Sequence, residues 1–170
     1  EYQNRLDTAR GEIANESDIF LPQRSTKDIL VLDLDETLIH SKVRNYNEEC
    51  IEVQTARSEG PQKFYVMRRP GLIDFLETMK KHYQLYIYTA SEYSYAAAVI
   101  KSLGIKHYFK EIYHREHCIV DITGGCIKNL ENLGLPVDRI VFVDDSKKHL
   151  FVCPDNGVYI KAFIGDPKDR

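Results

Sequence analysis

The segment from Asp28 to Leu38, Asp-Ile-Leu-Val-Leu-Asp-Leu-Asp-Glu-Thr-Leu, constrains this chain more than any other. An apolar run, Ile29 to Leu32, delivers two carboxylates, Asp33 and Asp35, separated by a single leucine, with Thr37 two positions further on. Side chains alternate along a strand, so acids spaced by two share a face. Both would project from the end of one buried strand into one site. Two unit charges ~4 Å apart repel by roughly 4 kcal/mol at an effective dielectric of about 20. A hard divalent cation is the simplest compensation.

The pattern of a buried run ending in polar residues recurs. Leu85 to Tyr88 ends in Thr89-Ala90-Ser91, and Ile140 to Val143 ends in Asp144-Asp145-Ser146. Helical periodicity lies between these runs. Pro70 is expected at the first position of a helix carrying Leu72, Phe75, Leu76 and Met79, with Lys80, Lys81 and His82 in its last turn. Ser91 is expected to cap a second helix, which buries Ala96, Val99, Ile100 and Leu103 and stops at Gly104. Glu111 to His114 and Val158 to Ile160 read as further short strands, and a helix-like segment is expected to begin near Lys128. Strands alternating with helices predict an α/β fold, a mostly parallel sheet covered on both faces. Ligands of such sheets bind beyond the carboxyl ends of the strands. The three polar strand ends are therefore expected to converge on one site.

The 170 residues suit one domain, divided here into a polar tail over 1–17 and a domain over 18–170, with Ile19 to Pro22 as a short apolar anchor. A β-hairpin is expected within about 43–67. Ile51, Val53 and Thr55 alternate with polar residues, Ser58-Glu59-Gly60-Pro61 turns, and Phe64 to Met67 runs apolar. Placed directly after the acidic loop, this insertion should overhang it. A net charge of −3 and a pI near 6.1 offer no basic field for nucleic acid or for an anionic membrane. No apolar stretch approaches the ~20 residues that span a bilayer. The four cysteines, Cys50, Cys118, Cys126 and Cys153, form no CxxC pair and read as reduced thiols of the nucleus or cytoplasm. His114-Arg115-Glu116-His117-Cys118 lacks the second ligand pair that a structural zinc needs.

Carboxylates at Asp33, Asp35, Asp144 and Asp145, hydroxyls at Thr37, Thr89 and Ser91 and the ammonium of Lys128 make an inventory suited to Mg²⁺ and a phosphoryl group. Asp33 can attack phosphorus to give an aspartyl-phosphate, and Asp35 can protonate the leaving oxygen and then take a proton from water. Thr89, Lys128 and backbone N–H groups beyond Leu34 can hold the remaining phosphate oxygens.

The run Asp33-Leu34-Asp35-Glu36-Thr37-Leu38-Ile39-His40-Ser41 resembles the signature of the haloacid dehalogenase superfamily. It is most similar to the branch of small phosphatases acting on the RNA polymerase II C-terminal domain, the nuclear LIM interactor-interacting factor-like phosphatases. The similarity continues through Arg69-Pro70, Tyr88 to Ser91, His114 to Glu116, Lys128 to Leu130 and Val143 to Ser146, covering roughly residues 20–165. The resemblance implies a three-layer Rossmann-like fold with an inserted hairpin after the first strand. It implies Asp33 as nucleophile and Mg²⁺ ligand, and Asp35 as acid/base and as a metal ligand through its backbone carbonyl. Thr89, Ala90 and Lys128 would bind phosphate, and Asp145 would complete the metal site with Asp144 supporting it. Tyr95, Arg115 and Val43 fall where the family contacts its phosphoserine peptide. A monomeric phosphoserine or phosphothreonine protein phosphatase follows, with the polymerase C-terminal domain as a candidate substrate and no direct binding of nucleic acid or membrane.

The chain departs from the small enzymes at three of these positions. Val43 stands where they usually place an aromatic residue against a substrate proline, and Glu92 where they place an apolar one. Asp145 replaces an asparagine, and relatives usually continue past the position of Arg170 into a closing helix. Two other readings share the core chemistry: a small-molecule phosphomonoesterase, and a phosphatase-like domain that binds without catalysing. A two-component receiver domain also gathers acids, Thr and Lys around Mg²⁺, but its phosphoryl acceptor ends a later strand, where this chain has Thr89.

Overall fold

The structure, a computed structural model, describes residues 28–45, 50–55 and 60–169. The expected tail and the Ile19 to Pro22 anchor lie outside the described residues, as do Ser58 and Glu59 of the expected turn.

Strand β1 (Asp28–Leu32) lies at the centre of a five-stranded sheet. Its companions are β5 (Tyr83–Tyr88), β6 (Phe109–Tyr113), β9 (Ile140–Asp144) and β10 (Gly157–Tyr159), in the order β10-β9-β1-β5-β6. Every pairing in it is parallel. The chain steps outward from β1 to β5 and β6, then crosses back to β9 and β10, so β1 is the point where the strand order reverses. Ile29 to Leu32 are all buried, as a central parallel strand with both faces covered requires. Alternate residues divide between two cores: Leu30 and Leu32 pack with Leu85, Ile87, Leu76 and Ile100, whereas Ile29 and Val31 pack with Phe142, Tyr88, Leu130 and Leu150.

Helices α1 (Leu72–His82) and α2 (Tyr93–Ser102) supply Leu76 and Ile100 to the first face. The second face is covered by shorter pieces, a 3₁₀ turn over Leu130–Leu133 and the single-turn helix α3 (Lys147–Leu150). The helix expected near Lys128 is thus only that turn. The Asn129 side chain caps it by accepting from the Glu131 N–H, and Gly134, at φ 65°, ends it. Pro136 follows too closely for a second turn to form.

Two helix starts also differ from expectation. Gly71 adopts φ 76°, a left-handed conformation open to glycine, so α1 begins at Leu72 and Pro70 sits in the preceding turn. Glu92, with extended backbone, occupies the cap position of α2, while the Ser91 hydroxyl is engaged elsewhere. α2 does stop before Gly104, at φ 70°.

The insertion is a three-stranded antiparallel sheet, β2 (Ile39–Lys42), β3 (Ile51–Thr55) and β4 (Gln62–Arg68), in the order β2-β4-β3. The β3–β4 hairpin has the expected alternation, with Ile51 opposite Val66 and Val53 opposite Phe64. β2 is the unexpected strand. It follows the acidic loop directly and pairs Ser41 with Val66, so the inserted sheet begins at Ile39 rather than near Val43. A two-residue hairpin, β7 (Ile119–Val120) with β8 (Cys126–Ile127), precedes Lys128. Among the described residues no helix is long and apolar enough to cross a membrane, and all four cysteines are free thiols.

The segment after β10 straps the acidic loop in place. Phe163 is fully buried, and its N–H donates to the Glu36 carbonyl at 2.7 Å. Arg69 lies over the Phe163 ring and donates to the carbonyls of Thr37 and Lys161, both at 3.0 Å, and to the Asp169 carboxylate at 2.5 Å. Glu36 itself is at φ 60°, a strained value for a residue with a side chain, held by these contacts. Replacing Phe163 by alanine should cost about 3–5 kcal/mol of stability, read by chemical denaturation. A loss below ~1 kcal/mol would mean the strap does not hold this loop.

Candidate active site

The site forms where β1 and β9 end side by side. Their register pairs Leu32 with Val143, and the Asp33 N–H extends the ladder by donating to the Val143 carbonyl at 3.0 Å. Asp33 therefore arrives beside Asp144 and Asp145. One carboxylate oxygen from each of the three lies within 4.8 Å of the others. Asp33 sits at the strand tip and Asp35 in the loop beyond, with fully buried Leu34 between them, and the two acids have different hydrogen-bond partners.

Lys128 is the hub of the first half of the site. Only 1% exposed, it donates to Asp33 Oδ1 at 2.5 Å and to Asp144 Oδ2 at 2.7 Å. Thr37 Oγ1 donates to the other oxygen of Asp33 at 3.0 Å and lies 3.5 Å from Asp145 Oδ1. Asp144 has further partners: the Ser146 N–H donates to its Oδ1 at 2.7 Å, and His149 Nδ1 lies 3.1 Å from its Oδ2.

The charges of this half are unbalanced. One ammonium faces three carboxylates and neutralises at most one. Burial pushes Asp33 up to about 7, against the pull of Lys128 and with the added repulsion of Asp144 and Asp35. Burial and then Asp144 also push Asp145 upward. Burial works against ionised Asp144 too, but His149, Lys128 and the Ser146 N–H together hold its carboxyl below the usual range. Lys128 is driven upward because Asp33 and Asp144 outweigh its burial, and it stays charged. An all-oxygen donor set with surplus negative charge fits a hard divalent cation. Asp33, Asp144 and Asp145 each bring a carboxylate oxygen close enough to the others to share such a cation.

Hydroxyls dominate the second half. Tyr95 donates to Asp35 Oδ1 at 2.7 Å and Ser91 to Oδ2 at 2.8 Å, and Thr89 Oγ1 lies 3.4 Å from Oδ2. β5 delivers Thr89, whose N–H donates to the Tyr113 carbonyl on β6 at 3.0 Å. Thr89 is buried, and its hydroxyl also accepts from the Ser91 N–H at 3.0 Å. Arg115 stands at the rim, donating from Nε to the Ala90 carbonyl at 2.9 Å, with Glu92 3.7 Å from its Nη1.

The polar ends of β1, β5 and β9 thus gather at one edge, bringing Asp33, Asp35, Thr89, Ala90, Lys128, Asp144 and Asp145 together. Val43 is 61% exposed in the bend that follows β2. Tyr95, expected at the peptide groove, is only 5% exposed and points its hydroxyl at Asp35. Three contributors escaped the sequence reading. His149 is five residues after Asp144, one turn into the helix that follows the acidic strand end, a spacing that could have suggested its contact. Ser41 and Arg69 act through partners 54 and 100 positions away, and although both lie in the runs that carry the resemblance, their contacts are not readable from those runs.

Known proteins with the same pattern can now be set beside this geometry. The profile of the NLI interacting factor-like phosphatases matches residues 28–170. CTD nuclear envelope phosphatase 1B of Danio rerio is 36% identical over 152 residues, covering 84% of this chain and 62% of that protein. CTD small phosphatase-like protein 1 of Caenorhabditis elegans is 32% identical over 149 residues, covering 88% of this chain and 30% of that protein. The solved structure of Fcp1, described as an essential RNA polymerase II CTD phosphatase, superposes with a TM-score of 0.68 at 22% identity, covering 95% of this chain and 45% of that one. That last likeness establishes the haloacid dehalogenase-like fold. The chain spans between 30% and 63% of the length of the curated relatives it matches. With the profile running from the first residue of β1 to the last of the chain, and relatives above 30% identity across most of it, this chain belongs to the NLI interacting factor-like phosphatases.

Proposed function

We propose that this chain is a Mg²⁺-dependent phosphoprotein phosphatase that hydrolyses phosphoserine and phosphothreonine through an aspartyl-phosphate on Asp33. The observation that carries the reading is the division of its acids. Asp33 lies among charges with Lys128, Asp144 and Asp145, whereas Asp35 lies among the hydroxyls of Thr89, Ser91 and Tyr95. Two carboxylates in such different surroundings suit two different tasks.

Asp33 and Asp145, with the Asp35 backbone carbonyl and with Asp144 supporting them, would hold the cation, which supplies charge neutralisation between an anionic nucleophile and an anionic phosphate. Lys128 and Thr89, with the backbone N–H of Ala90, orient the phosphoryl oxygens. Asp33 attacks phosphorus as the bond to the serine oxygen breaks, and Asp35 gives its proton to that oxygen. Water then displaces Asp33 from phosphorus and gives its proton to Asp35. Atoms balance, and the enzyme returns to its starting state.

The relatives' names, CTD small phosphatase-like protein 1 and CTD nuclear envelope phosphatase 1B, support a protein substrate and a nuclear setting, with the polymerase C-terminal domain as the first peptide to try. The peptide would lie between the inserted sheet and the rim formed by Glu92 and Arg115. An exposed Val43 offers no aromatic surface for a substrate proline, so peptides with and without proline next to the phosphoserine should be hydrolysed at similar rates.

Two measurements test the reading. Hydrolysis of an aryl phosphate and of phosphoserine peptides should require Mg²⁺ and be abolished by chelator. Asp33→Asn should lower it by on the order of 10³-fold or more, with the circular dichroism spectrum unchanged. Activity without metal, or near wild-type turnover in Asp33→Asn, would refute the assignment.

The second measurement concerns stability of the metal-free protein. A carboxyl whose pKa is raised on folding binds its proton more tightly in the native state. Its contribution to stability therefore falls as pH rises from the unfolded value of roughly 3.9 to the folded value of about 7. Asparagine at position 33 lacks this titration. The unfolding free energy of Asp33→Asn minus that of the wild type should thus shift in favour of the variant between pH 5 and pH 8. A pH-independent difference would show that Asp33 carries no such penalty.

A further inference from the structure

Tyr95 occupies an odd position for a residue of a binding groove. Its ring is buried in the core, edge-on to Phe64 of β4 with centroids 4.9 Å apart. Its hydroxyl lies 2.7 Å from Asp35 Oδ1 and 2.7 Å from Ser41 Oγ on β2. A phenol has one proton to give and can accept another bond. With Tyr95 donating to Asp35, the Ser41 hydroxyl donates to Tyr95, and a two-hydroxyl chain runs from the inserted sheet to the loop acid. A buried phenol facing a carboxylate oxygen at this distance is the donor of that bond. The other oxygen of Asp35 faces different partners, Ser91 at 2.8 Å and Thr89 at 3.4 Å. Thr89 is the residue that the proposed function assigns to the phosphoryl group.

The geometry points to Tyr95, backed by Ser41, as a positioning residue for the acid: its hydroxyl reserves Asp35 Oδ1 as an acceptor, so the transferable proton resides on Oδ2, the oxygen on the phosphate side. This rests on the reading of Asp35 as the general acid. The step it serves is balanced. As the bond from phosphorus to the serine oxygen breaks and the bond to Asp33 forms, the proton on Asp35 Oδ2 passes to the departing oxygen. The Ser91 hydroxyl can accept from Oδ2 before the transfer and donate to it afterwards, and Tyr95 donates to Oδ1 throughout. Removing the phenol hydroxyl leaves the proton free to occupy Oδ1, aimed at the core instead of at the leaving group. The chain also ties the acid to β2, so the inserted sheet acts on chemistry as well as on substrate access.

The test is the rate of leaving-group release in a single turnover with Mg²⁺ present, measured by rapid quench on a phosphoserine peptide and on para-nitrophenyl phosphate. An alkoxide must be protonated as it leaves, while nitrophenolate need not be. General acid catalysis as a whole contributes ~10²–10⁴-fold, and misdirecting the proton should forfeit part of it. Tyr95→Phe, which keeps the ring in its packing, should slow release from the peptide by ~10-fold or more and from the aryl ester by less than ~3-fold. Ser41→Ala should act in the same direction with a smaller effect. In the Asp35→Asn background, Tyr95→Phe should add no further loss. Equal slowing of both substrates, or full additivity with Asp35→Asn, would overturn the assignment and leave Tyr95 a packing residue. A wild-type protein that releases neither leaving group, or an Asp35→Asn variant that loses both equally, would overturn the proposed function and this inference with it.

Discussion

The buried ammonium of Lys128, held between Asp33 and Asp144, is the contact on which this structure depends. It joins residues 95 and 16 positions away in sequence at a place where water is excluded. An ion pair removed from water loses several kcal/mol of hydration per charge, recovered only with good geometry and further hydrogen bonds. Both conditions are met, since Thr37 and the Ser146 N–H engage the remaining carboxylate oxygens and His149 shares Asp144 Oδ2 with the ammonium. Two acids and one base still leave a net negative charge, and Asp145 adds another. That surplus, on an oxygen-only donor set, suits a hard cation.

Asp35 has the opposite surroundings. Its oxygens are divided between a core-facing phenol and a pair of hydroxyls on the strand-end side. The separation of the acids comes from where β1 stops. Past the strand end at Leu32 the Asp33 N–H still pairs with β9, whereas Asp35, next to the strained Glu36, meets Thr89 beyond β5 and Tyr95 of α2. The Phe163 and Arg69 contacts keep that loop from relaxing. A strained loop persists where its surroundings over-determine it, and here they belong to the site's own scaffold.

Much of this was legible in the sequence for a specific reason. Buried parallel strands need continuous apolar runs, and Ile29 to Leu32, Leu85 to Tyr88 and Ile140 to Val143 supply them, so the converging polar ends followed from topology alone. Features set by distant partners were not legible. β2 carries one strongly apolar residue in four, Ile39, and becomes a strand only because β4 pairs with it. A helix-like segment is expected to begin near Lys128, yet Gly134 and Pro136 confine it to the turn Leu130–Leu133. Ser91 fitted a helix cap by local chemistry, but a carboxylate 56 residues away claimed its hydroxyl. Tyr95 reads as a helix aromatic until Asp35 is placed beside it. In each case a local preference yielded to a tertiary hydrogen bond or packing contact, the ordinary way in which propensity is overridden.

The proposed mechanism requires Asp33 to become covalently phosphorylated. The direct measurement is to mix the protein and Mg²⁺ with a ³²P-labelled phosphoserine peptide, quench in acid within milliseconds, count the label on one portion, and reduce the acyl phosphate of another with borohydride, which expels phosphate and leaves homoserine to be located by sequencing. One label per chain, released by hydroxylamine, with homoserine at position 33, is the predicted result. Turnover with no acid-stable label on the protein, or label at any other residue, would contradict it.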